Sequence, residues 1–276
     1  MPAIRFCDSH MHTPLCGHAW GEPEEYAEQA VKMGLGGIII TCHSPMPAGF
    51  WPHVRMSDRE FDTYVALVER CRKAFAGQLD VRLGMETDYF PGHVDWAEKL
   101  HRRAPFHYVL GSVHWQAPEY RALYDQEGPT ALYRSYWRHL ADSAETGLFD
   151  CLAHPDLIKN FRAETYCLED WEDDIVAALD RIAKTGVAME LNTSGVHKRY
   201  PEMNPGPTML ALMRERGIPV VLGSDSHKPG RVGEGFLDAL ASLQRAGYES
   251  VGVFTERRRD DLAISEVITT LAPVAA

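Results

Sequence analysis

The 276-residue chain is short of positive charge: 28 Lys and Arg against 39 Asp and Glu leave a formal net charge of −11. Nucleic-acid backbones are bound by clustered cations, so this balance argues against a nucleic-acid partner. It leaves a small anionic substrate open, because bound metal charge can dominate the field inside a site. No apolar run is long enough to span a membrane, and a strand-like run starts within a few residues of Met1, which predicts no signal peptide. The six cysteines (Cys7, Cys16, Cys42, Cys71, Cys151, Cys167) form no Cys-x-x-Cys pair and are too sparse for a disulfide scaffold. Reduced thiols in a cytoplasmic protein are the expectation, with Cys7 and Cys151 as small core residues. No linker, low-complexity tract or charge run divides the sequence, so residues 1–276 read as one domain.

What the chain does have is a repeated pattern. Seven apolar runs (Ile4–His12, Gly37–His43, Val81–Glu86, Tyr108–His114, Cys151–His154, Val187–Asn192 and Pro219–His227) mostly end on residues of metal-ligand type. Helix-like segments alternate with them: Glu22–Gly34, Ser57–Gly77, Val94–Arg103, Thr130–Gly147, Leu168–Gly186, Pro207–Gly217 and Gly235–Gly247, most of them stopped by glycine. Ser57 and Glu60 have capping-box spacing. Short Val/Ile/Leu-rich strands alternating with helices predict a parallel sheet covered on its outer face. A doubly wound sheet would bind ligands at one switch point. Ligands at the end of every strand require those ends to converge, as in a TIM-like (β/α)7 barrel, distorted or short by one unit, with its metal centre at the C-terminal ends of the strands.

The converging residues are His10, His12, His43, Glu86, His114, His154, Asp225 and His227, with His18 in the loop after the first run. His10 and His12 are two apart, so both imidazoles point to one face of a strand, and Asp225 and His227 repeat that spacing. Glu86 can bridge two cations, which an imidazole cannot. Mixed imidazole and carboxylate ligation suits zinc, manganese or iron. Among the other histidines, His101 and His139 lie in helical segments and are expected at the surface, and His107 at the opposite end of the barrel. His53, His93 and His197 follow strands on the ligand side. Phe50, Trp51, Tyr89, Phe90 and Trp115 are candidates to wall a pocket there. Lys159 and Arg162 after the fifth strand, and His197, Lys198 and Arg199 after the sixth, put cations on the same rim, where they suit a phosphate.

The segments Asp8-Ser9-His10-Met11-His12-Thr13, Cys16-Gly17-His18-Ala19, Thr41-Cys42-His43-Ser44-Pro45, Gly84-Met85-Glu86, Gly111-Ser112-Val113-His114, Ala153-His154-Pro155-Asp156-Leu157 and Gly223-Ser224-Asp225-Ser226-His227 together resemble the polymerase-and-histidinol-phosphatase superfamily along the whole chain. Ser44-Pro45, Asp156-Leu157-Ile158-Lys159 and Asn192-Thr193-Ser194-Gly195 look most like its stand-alone histidinol-phosphate phosphatases. The resemblance implies a distorted (β/α)7 barrel with two to three divalent ions. It puts His10, His12, Glu86 and Asp225 on a first ion, Glu86 and His114 on a second, and His18, His43 and His154 on a third, with His227 near the leaving group. Two positions depart from the family pattern: Cys42 stands where an acidic residue is usual, and His197 stands where an arginine usually holds the phosphate.

The expected reaction is hydrolysis of a phosphate monoester, most of all L-histidinol phosphate, in histidine biosynthesis. Its catalytic residues would be Glu86, Asp225 as proton acceptor, and His227 or His197 as donor to the leaving alkoxide. The alternative is a phosphoesterase of the same family acting on a nucleotide, a phosphodiester or another small phosphate ester. A metal-binding module without catalysis is disfavoured by the complete ligand set.

Overall fold

A computed structural model describes residues 5–47 and 49–271; Ile4, where the first apolar run begins, lies outside them. Seven strands, β1 (Cys7–Asp8), β2 (Gly37–Ile40), β3 (Asp80–Asp88), β4 (Tyr108–Ser112), β5 (Cys151–Leu152), β6 (Ala188–Asn192) and β7 (Val220–Gly223), pair parallel in chain order. Eight helices follow or intervene: α1 (Pro23–Lys32), α2 (Phe61–Ala74), α3 (Val94–His101), α4 (Pro118–Tyr124), α5 (Pro129–Glu145), α6 (Glu172–Ala183), α7 (Pro207–Glu215) and α8 (Phe236–Arg245). The expected capping box holds, with Glu60 accepting from Ser57 at the turn that leads into α2.

The cylinder closes between its last and first strands. Ser9 N–H donates to Leu222 O (3.3 Å), Ser226 N–H to His10 O (3.2 Å) and His12 N–H to Ser226 O (2.9 Å). The fold is therefore a (β/α)7 barrel, as expected. Inward-facing Cys7, Ile39, Tyr108, Leu110, Cys151, Ala153, Ala188, Val221 and Phe254 fill the interior as a separate apolar cluster, mixing small and large side chains as a narrow barrel requires.

Phe254 belongs to a part of the fold that the alternation of apolar residues did not reveal. After α8 the chain forms a hairpin, β8 (Ser250–Thr255) with antiparallel β9 (Arg258–Ala263), then α9 (Ile264–Leu271). The hairpin lies against the N-terminal ends of the strands: Arg82 Nη1 donates to Phe254 O (2.5 Å) and Arg257 N–H to His107 O (2.9 Å). His107 is thus on the face opposite the ligands, as expected.

Two helical histidines differ from the surface placement expected of them. His101, at the end of α3, is half-buried with Nε2 3.0 Å from Thr87 Oγ1. His139, in α5, is buried, and Tyr120 O–H donates to its Nδ1 at 2.8 Å. Both helices press these rings onto neighbouring side chains. Burial, reinforced by Arg138, pushes the His139 imidazole down to about 4. A group with a depressed folded-state value contributes stability above its unfolded value of about 6.5 and loses it as pH falls towards 4. In chelator-stripped protein, the unfolding free energy should therefore decline through this window by about 1–3 kcal/mol more in the native chain than in a His139→Gln variant. Parallel declines in urea titrations of the two proteins would remove His139 as the cause.

Candidate metal centre

The C-terminal ends of the strands gather eight candidate ligands around a ninth, Glu86, which is wholly inaccessible to solvent. Its Oε2 faces His43 Nδ1 (2.7 Å), His10 Nε2 (3.5 Å) and His12 Nε2 (3.8 Å), while Oε1 faces His154 Nε2 (3.1 Å) and His114 Nε2 (3.6 Å). Asp225 Oδ1 lies 3.1 Å from His12 Nε2 and 3.7 Å from His10 Nε2. His18 and His227 complete the set at the mouth, their Nε2 atoms 2.9 Å apart. Ligand-type atoms of His10, His12 and Glu86, of His43, Glu86 and His114, and of His12, His43 and His227 lie within 4.8 Å of one another in each group. Two of the nine, His154 (φ 28°) and Asp225 (φ 50°), adopt left-handed backbone that non-glycine residues rarely hold without compensating contacts.

The neighbours of these rings decide which nitrogen faces inward. Glu190 Oε1 accepts from His10 Nδ1 (2.8 Å) and Asp88 Oδ1 from His114 Nδ1 (2.9 Å). The carbonyl of Cys16 accepts from His18 Nδ1 (2.9 Å) and that of Asp225 from His227 Nδ1 (3.0 Å). A carbonyl only accepts, so the outer nitrogens of His18 and His227 carry the protons and their Nε2 lone pairs point at each other. His43 Nδ1 and Glu86 Oε2 are likewise close and buried without hydrogen-bond geometry. Lone pairs set against lone pairs repel unless a cation lies between them. The donor set therefore fits divalent metal, with the outer partners orienting the rings as in known metal sites.

The arrangement regroups the ligands expected together. His154 lies beside His114 and His10 (ring centroids 5.1 and 5.9 Å), whereas His18 lies beside His227 and His43 (4.6 and 5.4 Å). His154 therefore joins the Glu86–His114 side, leaving His18, His43 and His227 at the mouth. Cys42, in the usual acidic position, accepts from Thr13 N–H (3.4 Å) and Thr13 O–H (3.2 Å) instead of orienting a ring. Although burial opposes ionisation, His43 and His10 hold Glu86 well below the usual carboxylate range, and Lys198 and His10 do the same for Asp225.

The rim cations separate sharply. Lys198 Nζ is 3.4 Å from Asp225 Oδ2 and faces the centre. Lys159, expected on the rim, is 1% exposed and donates to Asp156 Oδ2 (3.0 Å), Glu202 Oε2 (3.1 Å) and Met203 O (2.6 Å), which uses all three of its protons. His197 and Arg199 pair with half-buried Glu234 (3.2 Å) and exposed Glu164 (3.1 Å), and Arg162 is exposed beside Phe161. His53 is exposed in a turn, and His93 packs on Phe50 and Phe90. Of the five candidate wall aromatics, Trp51 stands beside a ligand, 5.9 Å from His114. Phe50 and Phe90 pack on each other, Tyr89 turns to His139 and Trp115 to Phe161.

Glu190 and Asp88 are the residues that sequence reasoning missed. The signal was a carboxylate two positions before Asn192 and another two after Glu86, each in phase with an inward-facing residue of its strand.

The PHP domain profile matches residues 8–194, and the chain belongs to that family. It is 41% identical over 251 residues to the Deinococcus radiodurans protein named probable histidinol-phosphatase, covering 89% of this chain and 95% of the relative. With the histidinol-phosphatase of Bacillus subtilis the identity is 29% over 262 residues, covering 84% and 98%. The fold is similar to a crystal structure of histidinol phosphate phosphatase from Lactococcus lactis complexed with zinc, L-histidinol and phosphate. That match has a TM-score of 0.79 at 19% identity and covers 94% of this chain and 100% of the other. Among the described residues no helix is long and apolar enough to cross a membrane.

If Glu190 fixes the His10 ring, Glu190→Gln should weaken zinc binding about ten- to hundredfold in a chelator-competition titration, with the far-ultraviolet spectrum unchanged. Native affinity in that variant would detach Glu190 from the centre.

Proposed function

We infer that this chain is a metal-dependent phosphatase that hydrolyses L-histidinol phosphate to L-histidinol and phosphate, a step of histidine biosynthesis. The observation that carries this reading is the convergence of nine ligand side chains, Glu86 among them, at one barrel mouth in a chain 41% identical to a protein named probable histidinol-phosphatase over almost its whole length. The substrate is a small phosphorylated molecule, and six unpaired cysteines without a disulfide pattern support a cytoplasmic enzyme. Two to three divalent ions fit the ligand set: His10, His12, Glu86 and Asp225 for one; Glu86, His114 and His154 for the next; His18, His43 and His227 for a third. Zinc, manganese and iron all suit these donors.

Bound there, such ions supply Lewis acidity at the phosphoryl oxygens and bring the pKa of water towards about 7. The remaining work falls to the protein. Lys198 offsets charge on the phosphoryl group from the sixth-strand loop, in place of the family's usual arginine. Asp225 takes the proton of the attacking water, with Ser194 O–H donating to its Oδ2 (2.9 Å) to fix the carboxylate plane. It returns that proton to the leaving alkoxide, so the proton balance closes on one residue. His227, expected as an acid, has its Nδ1 proton committed to Asp225 O and its Nε2 turned to His18, so a neutral ring has none to give. We assign it as a ligand. Glu86 holds the two sides of the centre in register.

Metal-reconstituted protein tested against a panel of phosphomonoesters and phosphodiesters should show its highest kcat/KM with L-histidinol phosphate and contain at least two metals per chain. Higher efficiency on a diester or a nucleotide, or less than one metal per chain, would sink the assignment.

Lys198→Ala should lower kcat/KM for phosphate esters about ten- to hundredfold, the scale of a charge-assisted contact. Alanine at His197, Arg199 or Arg162 should change it far less. A larger loss at Arg199 or Arg162 than at Lys198 would move the phosphate contact.

A further inference from the structure

Asp88 has two employments. Its Oδ1 accepts from His114 Nδ1 (2.9 Å) and from Ser112 O–H (3.2 Å), while its Oδ2 accepts from Arg55 Nη2 (2.9 Å). Arg55 comes from the long loop between β2 and α2, and the Arg55–Asp88 pair is almost wholly buried. The other two arms of the same guanidinium hold the loop itself: Nη1 donates to Ser44 O (3.2 Å) and Nε to Trp51 O (3.3 Å). Its cationic carbon also lies 5.3 Å from the Phe50 ring centre and 5.9 Å from that of Trp51.

Trp51 is clamped from the other side as well. Its backbone N–H donates to Glu119 Oε1 at 3.1 Å, and that backbone is held at φ 38°, a conformation that a bulky side chain keeps only when its surroundings over-determine it. The clamped indole stands edge-on to His114, with ring centroids 5.9 Å apart at 65°. One guanidinium thus connects, through one carboxylate, a candidate ligand ring to the aromatic residue at its side.

We propose that Arg55 is a positioning residue with two outputs: it fixes the His114 ring through Asp88, and it seats Trp51 at the mouth as a wall for the leaving-group part of the substrate. This rests on the reading of His114 as a metal ligand in a phosphatase. Only a rigid fork can do both, because a lysine ammonium is a compact point charge without three fixed, diverging donors. Truncating the arginine removes the donor that holds Asp88 Oδ2, and the buried carboxylate then reorients, loosening His114.

The test uses full-length protein and two readouts. One is zinc affinity of metal-stripped protein by competition with a chromophoric chelator, which needs no substrate. The other is the ratio of kcat/KM for L-histidinol phosphate to that for p-nitrophenyl phosphate. Arg55→Gln should weaken zinc binding about ten- to hundredfold and lower the ratio. Arg55→Lys should recover most of the zinc affinity, since the charge beside Asp88 is kept, while the ratio stays low. Trp51→Ala should lower the ratio and leave zinc affinity unchanged. Native zinc affinity in a folded Arg55→Gln protein overturns the proposal, as does an Arg55→Lys protein that is native, or equally impaired, in both readouts. If Arg55→Gln does not fold, the lysine variant and Trp51→Ala carry the test. If the native enzyme ignores L-histidinol phosphate, the substrate assignment fails, while the zinc readout still judges Arg55.

Discussion

Everything at the C-terminal face is arranged around one carboxylate that water cannot reach. An isolated ionised Glu86 at the barrel axis would cost far more than a small fold can offset. Five imidazoles crowd its two oxygens, and two of them, His10 and His114, already commit their outer nitrogens to Glu190 and Asp88 and so turn an Nε2 lone pair towards it. The lone pairs that remain point inward with the carboxylate. The electrostatics of this layer are complete only with cations bound, so metal affinity, ring orientation and the ionisation of Glu86 and Asp225 form one coupled system.

Such a layer is tolerable because the barrel separates its two ends. Below Glu86 and Glu190 the interior is apolar, from Leu110 and Val221 down to Phe254. The β8–β9 hairpin covers the far end and is pinned there by Arg82 and by the contact of Arg257 with Asp150, which stabilise the closure rather than the chemistry. A seven-stranded cylinder can thus concentrate its buried charge at one mouth while the apolar interior and outer helices hold the shape.

Much of this was legible in the chain. Ligand residues at the end of nearly every apolar run announced convergence, and the two-residue spacing of His10–His12 and Asp225–His227 announced a shared face. Glu190 and Asp88 were harder to read because a lone carboxylate inside an apolar strand has no spacing to mark it; its meaning comes from a ring that another strand brings to it. The hairpin escaped because β9 reads Arg-Arg-Asp-Asp-Leu-Ala, a charged stretch whose strand character comes from pairing with β8 and not from hydrophobic alternation. His139 was misplaced for the converse reason: a helical pattern gives a residue's face, and whether that face is covered depends on its neighbours, here Tyr120 and Tyr124.

Lys159 shows how a cation near a phosphate site can act at one remove. Its ammonium joins Asp156, whose Oδ1 accepts from Asn204 (2.6 Å) and whose Oδ2 accepts from Gly206 N–H (2.9 Å). Asn160 next to it accepts from Tyr200 N–H (2.9 Å). These bonds fasten the far half of the loop that leaves β6, and the same loop offers Lys198 to Asp225. A flexible lysine on a free loop would lose rotamer and backbone freedom on meeting a phosphate, and that loss would weaken the contact. With the loop tied to a buried ion pair, the ordering is done in folding, and Lys198 is held towards Asp225 from a fixed base. Lys159 therefore acts on the position of Lys198 through the loop, a role that requires it to be buried and fully bonded.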